Sequence, residues 1–177
     1  MSYSESPNGV GYKNEFSSNS SNDNSDLPKD AYYGPHKIIA FHDYNKGLAY
    51  AKKVNKPVLI DFTGKTCVNC RRMEEKVWSQ QEILSILKNE VVLISLYVDD
   101  RTEMPKEEIY TNQSGKVIDT YGEKWNDLSI NKYEANIQPY YVLMAHDESN
   151  LNKPVGYTPD VEEYKTWLKE GISKFKK

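Results

Sequence analysis

The sequence predicts an α/β domain with a mixed central sheet of about four to five strands and helices on both faces. Two short apolar runs, residues 58–62 and 91–98, are bounded by turn residues and indicate buried strands. A segment with helical spacing separates them, and a strand–helix–strand order favours a parallel pair. Two further apolar runs, 140–144 and 155–157, lie close together in the sequence and suit an antiparallel pair.

The other helices are predicted from capping residues and apolar spacing. Asp43 caps a helix that ends near Asn55, and Asp160 together with Glu163 caps the last helix of the chain. Apolar residues at helical spacing predict another helix over residues 123–135.

The middle of the chain combines a broken helix with a polar segment. A helix is expected to begin at Cys67, and the capping-box pattern of Ser79 and Glu82 predicts that a second helical piece begins there. Residues 101–122 are polar and irregular, and they suit either a long surface loop or a small hairpin around Gly115.

Residues 1–33 are expected to form a disordered polar tail or linker, and residues 34–177 the ordered domain. The first thirty residues contain eight serines and five asparagines but almost no aliphatic side chains. Such a stretch cannot bury enough apolar surface to offset the entropy cost of ordering it. A folded N-terminal strand is the less favoured alternative.

Charge and hydropathy argue against two classes of partner. The net charge of −3 arises in the first thirty residues, and the remaining charges balance without a basic stripe for nucleic acid. The longest nearly apolar run, residues 91–98, is much shorter than the about 20 residues of a membrane span. Because the start of the sequence also lacks the features of a signal peptide, we expect either a cytoplasmic protein or a piece of a longer, targeted one.

The two cysteines, Cys67 and Cys70, are the strongest candidates for chemistry. A disulfide between them closes a tiny loop and contributes little to stability, which favours a redox role. At the start of a helix, Cys67 would be stabilised as the attacking thiolate, and Cys70, one turn on, could resolve a mixed disulfide. A zinc site, two idle core cysteines and an inert disulfide are the alternatives. The nearby cations Lys65, Arg71 and Arg72 could favour the thiolate, but exposed cations near a helix are common and we assign them no function.

Two acidic residues lie close enough in sequence to act on this pair. Asp61 interrupts an apolar strand, so its carboxyl group should have a raised pKa and could accept the proton of Cys70. The alternative is a solvated Asp61 at a strand edge. Glu74 lies one helical turn after Cys70, where it could tune the pair or simply belong to a solvated helix face.

Together these features resemble the thioredoxin family over roughly residues 40–175. The resemblance rests on Lys56-Pro-Val-Leu-Ile-Asp-Phe62, the Cys-x-x-Cys motif, a proline before a strand, and Gly156 followed by a terminal helix. In that fold the proline is cis and faces the cysteines, which implies a cis Pro139, although cis X-Pro bonds are only about 5–6% of the total.

The stretch from Asp61 to Trp78 is similar to the C-terminal domains of the DsbD family of thiol:disulfide interchange proteins. Both the Cys-Val-x-Cys form and the glutamate four residues later belong to that group. The resemblance implies that Cys67 is the nucleophile and Cys70 the resolving cysteine, with Asp61 and Glu74 as an acidic pair that adjusts them. It implies no cofactor beyond a redox-active Cys67–Cys70 disulfide.

The same resemblance implies partners and a location. In the DsbD family this domain takes electrons from a transmembrane domain and passes them to an N-terminal envelope domain, and so to disulfide isomerases and cytochrome c maturation factors. We therefore expect a monomeric domain of a membrane protein on the periplasmic side of the bacterial envelope, with other thiol/disulfide proteins as partners and the polar tail as its linker. A cytoplasmic location is the alternative.

Several residues depart from the family pattern around the expected substrate site. Thr66 replaces a common tryptophan before the first cysteine, and Gln138 precedes Pro139 where an apolar residue or threonine is usual. These three residues are the expected substrate contacts. The stretch 101–136 is also longer than in a minimal thioredoxin. A stand-alone disulfide oxidase or isomerase, and a non-catalytic thioredoxin-like binding module, are the alternative functions.

Overall fold

A computed structural model describes residues 26–176 of the chain as one α/β unit. The strands are β1 Ala31–Tyr33, β2 Ile39–Phe41, β3 Val58–Thr63, β4 Val92–Tyr97, β5 Tyr110–Thr111, β6 Val117–Ile118 and β7 Tyr140–Met144. The helices are α1 Tyr44–Val54, α2 Val68–Arg72, α3 Gln81–Asn89, α4 Tyr121–Tyr133 and α5 Val161–Phe175. A π-helical turn, Met73–Val77, continues α2.

Five strands form the central sheet in the order β1-β2-β4-β3-β7. The three inner strands are parallel to one another, whereas β1 and β7 at the edges run antiparallel to their neighbours. The predicted mixed sheet of four to five strands is therefore confirmed. This order places β3, which leads into Cys67, between β4 and β7 and away from either edge.

Helices cover both faces of the sheet, as predicted, and alternate residues of β3 face the two cores. Val58, Ile60 and Phe62 pack towards α1 and α4. Leu59 packs on the opposite face, towards α3, α5 and the π-helical turn that continues α2. Because side chains alternate along a strand, Asp61 shares the face of Leu59. The carboxyl group therefore lies beneath the helix that carries the cysteines.

The predicted caps of α1 and α5 agree with the structure, α4 begins and ends two residues earlier than predicted, and the start of α3 differs. The side chains of Asp43 and Asp160 accept hydrogen bonds from the third following backbone N–H of α1 and α5. The capping box predicted at Ser79 is wrong, because its hydroxyl donates to the Glu75 carbonyl. The N-cap of α3 is Gln80, which makes no side-chain capping bond.

The domain begins before the expected boundary at residue 34. Ala31–Tyr33 pair with Ile39–Phe41, and Gly34 and Pro35 lie in the turn between these two strands. β1 is short and largely exposed, whereas β2 lies within a short apolar run, residues 38–41, that sequence reasoning missed. The predicted tail over residues 1–25 lies outside the described residues.

The strand predictions for two other segments have different outcomes. Residues 155–157, expected as a fourth strand, contribute only an isolated bridge between Val155 and Tyr141, so this prediction is wrong. The polar segment after β4 contains a small hairpin, in which β5 and β6 pair around a turn at Gly115. Between residues 26 and 176, no helix is long and apolar enough to cross a bilayer.

Candidate active site

Cys67 and Cys70 form a disulfide at the beginning of α2, with their Cα atoms 5.3 Å apart. Cys67 is the N-cap residue, and its Sγ accepts the backbone N–H of Cys70 at 3.2 Å. Cys67 is half-buried, whereas Cys70 is only 2% exposed. An incoming disulfide can therefore reach the first sulfur, while the second is shielded by the core. A backbone N–H directed at Cys67 stabilises a thiolate there once the bond is reduced.

Asp61 is buried in the middle of the sheet, directly below α2. It is 4% exposed and lies in register with Ser95 on β4 and Tyr141 on β7. No donor among the described residues reaches its Oδ1 atom. Burial raises the pKa of Asp61 to about 8, and the neighbouring Glu74 adds to this increase. The nearby Arg71 and Ser95 lower this pKa. A solvated position at a strand edge, the alternative considered above, is wrong.

Glu74 is also buried, in the π-helical turn that follows α2. Its residue is 8% exposed, so the alternative of a solvated helix face is wrong. Its Oε2 atom lies 2.8 Å from Nε of Arg71, in an ion pair whose N–H is not well aligned for a hydrogen bond. Burial raises the pKa of Glu74, while Arg71 and His36 lower it. Two carboxyl groups thus share one buried region beneath the cysteines.

The bond between Gln138 and Pro139 is cis, as the resemblance implied. The next residue, Tyr140, pairs with Phe62 near the end of β3, which leads towards Cys67. Pro139 is buried and Gln138 half-buried. Because Tyr140 pairs with Phe62, this loop lies at the same end of the sheet as the cysteines.

Thr66 is exposed immediately before Cys67, which agrees with a position available to a substrate. The roles of Thr66, Gln138 and Pro139 in substrate binding stay predictions. Residues 26–176 contain no group of three or more His, Cys, Asp or Glu side chains placed to hold a metal ion.

Comparison with models of protein families identifies the family of this domain. A model of the thioredoxin-like domain matches residues 44–172, which is most of the chain. The chain belongs to the thioredoxin-like domain family. It therefore combines the thioredoxin-like fold of thiol–disulfide oxidoreductases with a Cys67–Cys70 disulfide at the expected position.

Solved structures agree with this thioredoxin-like fold at low sequence identity. A DsbH oxidoreductase has a TM-score of 0.55 and 17% identity, over 74% of this chain and 82% of that one. A thioredoxin from Thermus thermophilus has a TM-score of 0.55 and 18% identity, over 76% and 87% of the two chains.

One curated protein that matches part of the chain is named as a transcriptional regulator. The global transcriptional regulator Spx 2 of Bacillus cereus is 22% identical over 98 residues, which are 55% of this chain and 72% of that protein.

Sequence reasoning missed three residues that surround the acidic pair of this thioredoxin-like domain. Arg71 contacts Glu74 directly, and the Nε2 atom of His36 lies 2.7 Å from the Glu74 carbonyl oxygen. Tyr97, at the end of β4, is close enough for Arg71 and both acids to affect its pKa, which burial raises. The i,i+3 spacing of Arg71 and Glu74 was the available signal for one of these contacts. The other two residues come from distant elements, His36 from the β1–β2 turn and Tyr97 from β4.

Proposed function

We propose that this thioredoxin-like domain reduces protein disulfides through a mixed-disulfide intermediate, with Cys67 as the nucleophile and Cys70 as the resolving residue. The observation that carries the proposal is the asymmetry of the pair. One sulfur is accessible at a helix N-terminus, and the other is buried above a carboxyl group with a raised pKa. This arrangement suits attack by the first cysteine and proton transfer from the second.

In the first step the Cys67 thiolate attacks one sulfur of the substrate disulfide. A bond forms between Cys67 and that sulfur, the substrate S–S bond breaks, and the other substrate sulfur leaves as a thiolate. In the second step Cys70 attacks the Cys67 sulfur, the Cys67–Cys70 disulfide forms, and the mixed disulfide breaks. Two electrons have then moved from the cysteine pair to the substrate, which is released as a dithiol after protonation of its thiolates.

The second step requires Cys70 to lose its proton, and Asp61 is the proposed acceptor. An ionised carboxylate in a buried site is a stronger base than an exposed one, because burial disfavours its charge. A pKa of about 8 lets Asp61 take a proton near neutral pH and return it later. Glu74 adds negative charge beside Asp61 and raises its basicity further.

We propose that the physiological role is an electron relay of the DsbD C-terminal-domain type. The support is the resemblance of residues 61–78, including the glutamate four residues after the second cysteine. In such a relay a dithiol in a transmembrane domain would reduce Cys67–Cys70 again, and an N-terminal envelope domain would receive the electrons. The proposed location is accordingly the periplasmic side of the bacterial envelope. The proposed redox group is the cysteine pair alone, without a further cofactor.

Trapping with single-cysteine variants tests the mechanism. Cys70→Ser should accumulate a stable mixed disulfide with a disulfide substrate, because the attack that releases it is lost. Cys67→Ser is the matched control and should trap almost nothing, since its remaining thiol is buried. Non-reducing electrophoresis and mass spectrometry after reaction with insulin measure both. Equal trapping by the two variants, or none by either, contradicts the proposed roles.

The reduction potential of the Cys67–Cys70 couple tests the reductase direction. Thioredoxin-fold proteins span from about −270 mV for reductants to about −120 mV for strong oxidants. Equilibration with glutathione or thioredoxin should give a value near the reducing end. A value near the oxidising end would contradict the electron-relay role and favour the oxidase alternative, while the trapping result would stand.

A further inference from the structure

We propose that Arg71 is a positioning residue of the redox centre, which supplies the counter-charge of Glu74 beside Asp61 and ties it to the loop that leads to Cys67. The effect of Arg71 on catalysis rests on the proposed proton transfer from Cys70 to Asp61. The effect of Arg71 on the titration of Asp61 and Glu74 is independent of that proposed proton transfer.

The contacts of Arg71 connect both sides of the cysteine motif. On one side, its Nη2 atom donates to Oγ1 of Thr63 at 3.1 Å and to the carbonyl of Gly64 at 3.3 Å, at the end of β3. On the other side, its Nε atom lies 2.8 Å from the carboxylate of Glu74. Its backbone N–H donates to the carbonyl of Cys67 at 3.2 Å. One guanidinium group thus fixes the helix turn containing Glu74 relative to the strand containing Asp61.

Arg71 differs from the neighbouring Arg72 in that its guanidinium contacts a buried carboxylate. Its side chain is 39% exposed and that of Glu74 only 11%, so the ion pair is shielded from water on the Glu74 side. The neighbouring Arg72 is exposed and has no carboxylate partner among the described residues. A planar guanidinium can donate to the strand end through Nη2 and keep an ion pair with the carboxylate through Nε, a two-sided contact that a lysine ammonium does not reproduce.

Several titratable groups face the two acids from the surrounding elements. They are Arg71 and Glu75 from α2 and its π-helical turn, His36 from the β1–β2 turn, Tyr97 from β4, Tyr141 from β7, and Tyr164 from α5.

Arg71 makes the largest opposing contribution to the raised pKa of Asp61 and of Glu74. His36 lowers the pKa of Glu74 as well. The three tyrosines are neutral near pH 7, since the pKa of each is raised by burial.

The consequence is that one arginine supplies the counter-charge for two buried carboxyl groups. With Arg71 in place, the pair releases its proton at lower pH, so Asp61 is more often ionised and able to accept the proton of Cys70. Without Arg71, both buried carboxyl groups lose their main counter-charge, and the pair retains its proton to higher pH. Asp61 would then be less often available as a base at neutral pH.

Carboxyl titration by carbon-13 NMR tests the inference without any substrate. In the full chain with the disulfide intact, Arg71→Gln should raise the titration midpoint of the Asp61–Glu74 pair by about one to two pH units, the usual effect of an adjacent arginine. Arg71→Lys should give a smaller increase, because the charge stays and the forked contact is lost. Arg72→Gln is the matched control and should leave the midpoint unchanged. If Arg71→Gln does not fold, Arg71→Lys against Arg72→Gln decides the question.

The pH dependence of mixed-disulfide release then separates the inference from the proposed function. Release by Arg71→Gln should follow the titration and shift to higher pH by the same interval. An unchanged titration midpoint in the Arg71 variants, or an equal shift in Arg72→Gln, overturns the role of Arg71. A shifted titration with an unchanged release profile instead supports the role of Arg71 and contradicts Asp61 as the base for Cys70.

Discussion

Replacing Asp61 with asparagine should remove most of the pH dependence of stability between about pH 4 and about pH 7. The pKa of Asp61 is raised from 3.8 to about 8 by burial and by Glu74. A raised folded-state pKa gives stability that is fully present below the unfolded value and is lost as pH rises through the folded value. The loss is about 1.4 kcal/mol for each pH unit, or about 4 kcal/mol over these three units. The neighbouring Glu74, whose pKa is also raised, contributes in the same direction.

Urea unfolding of the disulfide form at several pH values measures this effect. The free energy of unfolding of the unsubstituted protein should fall by a few kcal/mol from about pH 4 to about pH 7, while Asp61→Asn retains most of its stability. The comparison uses the slope with pH, because an asparagine amide has its own hydrogen-bonding cost of about 1–3 kcal/mol. Glu107→Gln, at an exposed position in the segment after β4, is the control. An equally steep loss in Asp61→Asn and in the unsubstituted protein would refute the burial argument.

Two further predictions concern kinetics and the N-terminal segment. Asp61→Asn should slow the release of mixed disulfides while leaving the first attack by Cys67 intact, and unchanged release in stopped-flow measurements across about pH 6–9 would remove Asp61 from the mechanism. Deleting residues 1–33 should lower the free energy of unfolding by about 1–3 kcal/mol, since it removes the three residue pairs between β1 and β2. Deleting only residues 1–25 should leave the melting temperature nearly unchanged because of their composition, and equal effects of the two deletions would contradict the contribution of β1.

The features that sequence reasoning predicted well depend on short-range patterns. The apolar run before Cys67, the helical spacing after it and the capping aspartates each involve residues within one element. Asp61 drew notice because a carboxylate is unusual in an apolar strand. In contrast, β1 was missed because its stability comes from pairing with β2 and not from an apolar run of its own, and β2 was missed because its apolar run, residues 38–41, is only four residues long.

The acidic pair shows where sequence patterns stop being informative. Spacing placed Glu74 on the same helix face as Cys70 but could not distinguish a buried carboxyl group from a solvated one. Burial depends on what covers the group, and here β1–β2, β4, β7 and α5 all contribute neighbours. The π-helical turn at Met73–Val77 is likewise invisible in the spacing. Such turns often occur at functional sites, where the inserted residue redirects side chains.

The sequence by itself determined the cysteine pair, the strand and helix on either side of it, and the order of most of the elements, because these follow from local periodicity and spacing. Only the tertiary structure decided that Asp61 and Glu74 are both buried and that Arg71 bridges Glu74 to the end of β3. The physical reason is that desolvation and ion pairing depend on the three-dimensional surroundings of a charge, which are assembled from residues far apart in the chain.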